Sequence, residues 1–175
     1  MAQEGVCAAR SSLINGAGLV NDGLTAGCAN NGGTVYTYNQ GLAIGAGVEV
    51  YRATGNSAAL ATAQRLADAA TANNGTLTRN GILTESCDAT DRTCDDNAKQ
   101  FKGIFMRYLM DLADVTGAAR YRTYARTQAD SVWNTDRDSL NRLGERWNGT
   151  TSAAYPNVRD WRTEASGLAA LLAAA

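Results

Sequence analysis

Histidine is absent from the 175 residues, and this one absence excludes much chemistry. Neither a Ser-His-Asp nor a Cys-His nucleophile can be assembled within this sequence, and a histidine-ligated zinc site is equally out of reach. Lysine is almost missing: Lys99 and Lys102 are the only two among 16 basic residues, set against 17 acidic ones. A formal net charge of −1 with no clustered basic face leaves no electrostatic footprint for nucleic acid. Apolar runs are short, so no segment reads as a membrane span. No EF-hand loop is present for calcium, no metal-ligand pattern stands out, and no cofactor is implied. The first residues, Met1 to Gly5, lack the basic start and apolar stretch of a signal peptide. What remains for chemistry is carboxylates, tyrosines, arginines and amides, the groups that handle sugars.

Cysteine is scarce too. Cys7, Cys28, Cys87 and Cys94 form no CxxC pair, which weakens a redox or zinc reading. Three disulfide connectivities are open. Pairing Cys7–Cys28 and Cys87–Cys94 is favoured, because each pair then brackets one loop between helices. Loop-closure entropy would make these worth about 3.4 and 2.5 kcal/mol, and an oxidising, extracytoplasmic setting would follow. Four reduced, buried thiols are the alternative.

Against these absences stands an internal repeat of about 62 residues. Thr54-Gly55 superposes on Thr116-Gly117, and Gly41 meets Gly103, Ala63 meets Ala125, and Asp68 meets Asp130. Gly18, Gly81 and Gly144 fall 63 apart, each opening a polar loop. The unit is too long for common solenoid repeats and suits a pair of antiparallel helices plus a loop. The pattern predicts forward helices over 36–53, 96–115 and 159–174, with return helices over 57–73 and 118–134. Residues 4–14 resemble the tail of another helix. Gly55 and Gly117 suit left-handed C-caps, and alternation over Thr76 to Ser86 suits a short β-hairpin. Glycines 41, 45 and 47 cost about 1 kcal/mol each in an exposed helix, so close helix packing or a ligand must explain them.

Three segments in order resemble a known family: Gly18-Leu19-Val20-Asn21-Asp22-Gly23 running on to Tyr36–Gly41, Gly81–Asp88 with Cys94 and Asp96, and Phe101–Tyr108. Their order and spacing are similar to the C-terminal half of glycoside hydrolase family 76, the α-1,6-mannanase family, to which fungal wall-assembly proteins are related. The resemblance spans essentially residues 1–175 as a single domain. It implies an all-α fold, a partial (α/α)6 barrel or half toroid whose N-terminal half is absent. It also implies a substrate cleft on the rim where inner helices begin, and activity on mannan, with a non-catalytic carbohydrate-binding or structural module as the alternative. The family's catalytic aspartate pair belongs to the other half, so no catalytic residue is assigned here. Asp95-Asp96 lacks the aromatic context of that pair and suits a helix start, with Asp95 as N-cap.

Binding candidates are those near the rim. Tyr38, Asn39 and Gln40 offer an aromatic face and two amides, or simply cap and pack their turn. Glu85 and Asp88 flank the small cysteine loop; Glu85 alternatively forms a buried ion pair with Lys102 or Arg107. Lys102 is the repeat equivalent of Gln40, and Asp22 that of Glu85. Trp147 either stacks on a pyranose or plugs the core. The expected partner is a mannan-type polysaccharide, and the intact protein would be extracellular or cell-wall associated. An open arc should leave apolar inner faces such as Phe105 and Leu109 unpartnered, favouring self-association.

Overall fold

The computed structural model describes residues 13–88 and 92–175. Five α-helices form it: α1 (Thr37–Thr54), α2 (Ser57–Thr71), α3 (Ala98–Thr116), α4 (Ala119–Ser131) and α5 (Trp161–Ala173). A two-stranded hairpin, β1 (Thr78–Arg79) with β2 (Ile82–Leu83), lies between α2 and α3. Its turn residues Asn80 and Gly81 both have positive φ, 51° and 81°, as a tight two-residue hairpin turn requires. The helix tail expected at 4–14 falls almost wholly outside the described residues.

Local chemistry explains the helix boundaries. Gly55 and Gly117 adopt φ of 70° and 65°, and their N–H groups close the last turns onto Tyr51 and Ala113 carbonyls. Asn56 caps α2 by accepting from the N–H groups of Ala58 and Ala59. Asp160 caps α5 within a capping box completed by Thr163. At the end of α4 the backbone widens into a π-turn over Val132–Asp136. Periodicity alone reads that segment as ordinary helix.

The helices form an arc. α1 packs on α3 and α3 on α5, while α2 backs α1, and α4 backs α3 and α5. The forward helices all start on one rim. The ring of Tyr38 of α1 packs against that of Phe101 of α3, tilted by 41° with centroids 4.3 Å apart, and Lys99 of α3 pairs with the α5 cap residue Asp160 at 3.0 Å. The core lies between forward and return helices: Ile44, Val48, Ala63, Phe105, Leu109, Leu112, Tyr121 and Ala125 are buried. This corrects one expectation. Phe105 and Leu109 are fully buried, in one core cluster with Ala63, Leu66, Tyr121 and Ala125 of the return helices. Among the described residues, the large apolar side chains left exposed are Leu42, Trp133, Leu140, Trp161, Leu168 and Leu172.

Glycine sets the spacing of the forward helices. A Cβ on Gly41 would stand 2.8 Å from Phe105 Cα, and one on Gly103 would stand 2.8 Å from Ser166 Cα. The two repeat-equivalent glycines therefore mark backbone-to-backbone contacts. We expect Gly103→Ala to lower stability by about 1–3 kcal/mol through overpacking. Helix propensity alone would raise it by about 1 kcal/mol. Urea unfolding reads the sign, and a stabilised variant would overturn the close-contact account.

Candidate functional site

Three connectors make the rim, and a buried amide grips each of them at one repeat-equivalent residue. Gln40 accepts from Val20 N–H and donates to Val20 C=O, both at 2.8 Å. Gln128 accepts from Leu83 N–H at 2.7 Å and donates to Gly81 C=O. Asn157 accepts from Arg146 N–H at 2.9 Å and donates to its C=O. Positions 20, 83 and 146 lie 63 apart, the register of the three loop glycines. Each bidentate grip satisfies backbone groups that an irregular buried segment would otherwise leave unpaired. The repeat marked the gripped positions, but nothing local marked Gln128 and Asn157.

Glu85 is buried and holds the start of α1. Its Oε2 accepts from Thr37 N–H at 3.0 Å and from Thr37 Oγ1 at 2.5 Å, and its Oε1 accepts from Ser86 N–H. It thus serves as a helix cap supplied 48 residues away in sequence, and not as the expected ion-pair partner of Lys102 or Arg107. Lys102 pairs instead with the buried Asp88 and donates to the Glu145 carbonyl at 2.5 Å. It also lies 4.9 Å over the ring of Trp147, which is buried and plugs the rim. Gln40 and Lys102 do project from the same turn of adjacent helices, as the repeat required. Both are buried, one gripping the connector before it and the other the connector after it.

The small cysteine loop is closed by a Cys87–Cys94 disulfide. Cys28 is also disulfide-bonded, and Cys7 lies outside the described residues. Asp95 accepts from the N–H groups of Asn97 and Ala98, while Asp96 pairs with Lys99 and Arg162. The adjacent aspartates therefore work at the helix start.

Two parts of the rim remain open. One is a platform on which Tyr36, Tyr38 and Phe101 cluster, with ring centroids 4.3 to 6.0 Å apart. Asp22 lies at its edge, accepting long hydrogen bonds from Tyr38 Oη at 3.4 Å and Asn39 Nδ2 at 3.3 Å. The other is a polar recess of about 320 Å³ between the hairpin and the third connector, lined by Thr84, Asp88, Arg146, Asn148, Thr150 and Thr151 among others. Beneath that connector, Asp88 Oδ1, both Glu145 carboxylate oxygens, Arg146 Nε and Trp147 Nε1 are buried without hydrogen-bond partners among the described residues. Burial raises the carboxyl pKa of Asp88 and of Glu145, and the Lys102 and Arg146 charges oppose it. Among the described residues, no group of three or more Cys, Asp or Glu side chains is arranged to hold a metal ion. No helix there is long and apolar enough to cross a membrane.

An arc of helical hairpins with its polar connectors gathered on one lip is part of an α/α barrel. The profile of glycosyl hydrolase family 76 matches residues 8–175, and the chain belongs to that family. Among solved structures, the Lin0763 protein of Listeria innocua is 30% identical with a TM-score of 0.73, over 95% of this chain and 45% of its own. An inactive variant of an α-1,6-mannanase from Salegentibacter sp., in complex with α-1,6-mannotriose, is 26% identical with a TM-score of 0.75, over 95% and 48%. Dfg5 of Chaetomium thermophilum, in complex with glucosamine, shares the fold at 16% identity and a TM-score of 0.73, over 96% and 42%. The chain thus spans about half the length of these relatives. Among curated proteins, none matches significantly.

Burial pushes the Glu85 carboxyl up to about 7, against the hydrogen bonds from Thr37 and Ser86 that favour its charge. A carboxyl raised on folding binds more protons in the native than in the unfolded state between its two pKa values. Its contribution to stability therefore falls as pH rises from about 4.5 to about 7 and is flat above. Glu85→Gln keeps an acceptor for Thr37 and removes the titration. We expect the variant to gain stability relative to wild type across that window, on the order of 3 kcal/mol in total. Parallel unfolding curves at pH 5 and pH 8 check this, and an unchanged difference between the two proteins would refute it.

Proposed function

We propose that this chain forms one wall of an α-1,6-mannan-binding cleft, with the Tyr36–Tyr38–Phe101 platform as its contact surface. The observation that carries the reading is the pairing of that platform with Asp22 and Asn39. The clustered, mutually tilted rings offer aromatic surface to the apolar face of a pyranose, and an adjacent carboxylate and amide suit its hydroxyls. The mannotriose complex of the Salegentibacter relative supports the choice of sugar. Gln40, Glu85, Asp88, Lys102 and Trp147 act behind the platform, holding the connectors in register. The Cys87–Cys94 bond fits an extracellular or cell-wall setting.

Glycosidases need two carboxylates flanking the scissile bond. Of the described rim carboxylates, Glu85 and Asp95 cap helices, Asp88, Asp96 and Asp160 are ion-paired, and Glu145 is buried with Arg146 Nε at 3.7 Å. Asp22 alone stands beside the platform. We expect this 175-residue polypeptide to bind α-1,6-mannotetraose without hydrolysing it, and Tyr38→Ala to weaken binding about tenfold, or about 1.4 kcal/mol. Calorimetric titration and a reducing-end assay on α-1,6-mannan test this. Unaltered affinity in the variant, or turnover by the wild-type chain, would overturn the corresponding half of the reading.

A further inference from the structure

The polar recess between the hairpin and the third connector is a different place from the aromatic platform. Both of its walls rest on the return helices. Thr78 Oγ1 of the hairpin donates to the Ala70 carbonyl of α2, and Leu83 N–H donates to Gln128 of α4. On the other side, Ser131 Oγ at the end of α4 donates to the Trp147 carbonyl, and Gly149 packs against Thr135. The platform instead stands at the starts of the forward helices α1 and α3.

The lining of the recess can both give and take hydrogen bonds. Thr84, Asp88 and Arg146 form its floor, and the Asp88 and Arg146 side chains are only 4% and 5% exposed. Lys102 occupies Asp88 Oδ2, while Asp88 Oδ1 and Arg146 Nε have no hydrogen-bond partner among the described residues. One of these is an acceptor and the other a donor. The exposed wall of the third connector adds further donors. The Thr151 and Ser152 hydroxyls accept from the N–H groups of Asn157 and Tyr155 and keep their own protons free. Asn148 Oδ1 accepts from Thr150, which leaves its amide protons to donate. Thr84 Oγ1 donates to the Ile82 carbonyl and keeps lone pairs.

Charge narrows the choice of ligand. Asp88 is paired with Lys102, and Arg146 Nε lies 3.7 Å from the Glu145 carboxylate, so the recess has little net field. An anion there would meet Asp88, and a cation would meet Arg146. A compact neutral group bearing several hydroxyls suits both. The volume of about 320 Å³ lies near the lower end of small-molecule sites, about 300–1,000 Å³.

We propose that this recess is a second ligand site, taking one neutral pyranose unit through a pair of neighbouring hydroxyls. One hydroxyl donates to Asp88 and the next accepts from Arg146, so that two buried polar atoms gain the partners the chain does not give them. The side-chain amides of Asn80 and Asn148 close on the ring from the two walls. The inference does not rest on the platform reading, and it holds whether or not the platform binds mannan.

Two-dimensional NMR of the 175-residue chain, titrated with methyl α-mannopyranoside and methyl α-glucopyranoside, tests it. Saturable shifts are expected at the side-chain amides of Asn80 and Asn148 and at Arg146 Nε–H with at least one of the two sugars. Ser152 is exposed, so Ser152→Trp sets a ring against the recess without disturbing the core. That variant should weaken the binding at least about tenfold and leave the melting temperature at its wild-type value. Tyr38→Ala should leave these shifts unchanged, which separates this site from the platform. No saturable shift with either sugar would overturn the proposal. Shifts that survive Ser152→Trp, or that vanish in Tyr38→Ala, would mean that the sugar sits elsewhere, and this also overturns it. Binding of inorganic phosphate without binding of sugar would make the recess an anion site and would overturn the choice of a neutral ligand.

Discussion

Backbone-to-backbone contact between neighbouring forward helices is the constraint on which the rest of this structure depends. Gly41 lies on the α3 backbone and Gly103 on the α5 backbone, where its N–H also donates to Ser166 Oγ. Such contact brings helix axes closer than side-chain packing alone allows. The connectors that precede each helix are drawn together on the same side. Without that spacing, Tyr38 would not meet Phe101, and Lys99 would not reach Asp160.

Tightly spaced helices leave their starts crowded, and the rim resolves this with polar groups borrowed from afar. Glu85 caps α1 from the second connector, Lys102 of α3 ties Asp88 to the third, and three amides grip three backbones. These side chains are buried, and a buried polar group that loses its partner costs about 1–3 kcal/mol. The rim is therefore a hydrogen-bonded frame, and the groups left accessible are those standing in front of it. This division assigns Gln40, Glu85, Lys102 and Trp147 to the frame, and Tyr36, Tyr38, Asn39 and Asp22 to the open surface.

Much of the fold was legible beforehand. The Thr-Gly stops, the Asp95 cap, the hairpin at 76–86 and all five helices were readable to within a few residues, because caps and turns act over about one helical turn. The Gly18, Gly81 and Gly144 register pointed to three equivalent connectors. The partners of those connectors were not readable. Gln40, Gln128 and Asn157 stand 20, 45 and 11 residues from what they grip, so no repeat aligns them. Apolar periodicity located Phe105 and Leu109 on an inner helix. It could not say whether they face the return helices or the free edge, since both directions look equally apolar along the chain.

Local order along the chain was enough to define a string of helical hairpins, their boundaries and the positions that must stay small, because those features answer to steric and hydrogen-bonding rules spanning a few residues. Which carboxylate ends up buried as a cap, which lysine finds which aspartate, and which apolar stripe is left uncovered were settled by three-dimensional packing. Burial and ion pairing depend on groups tens of residues apart arriving at one place, and that arrival follows from the spacing and curvature of the assembled helices.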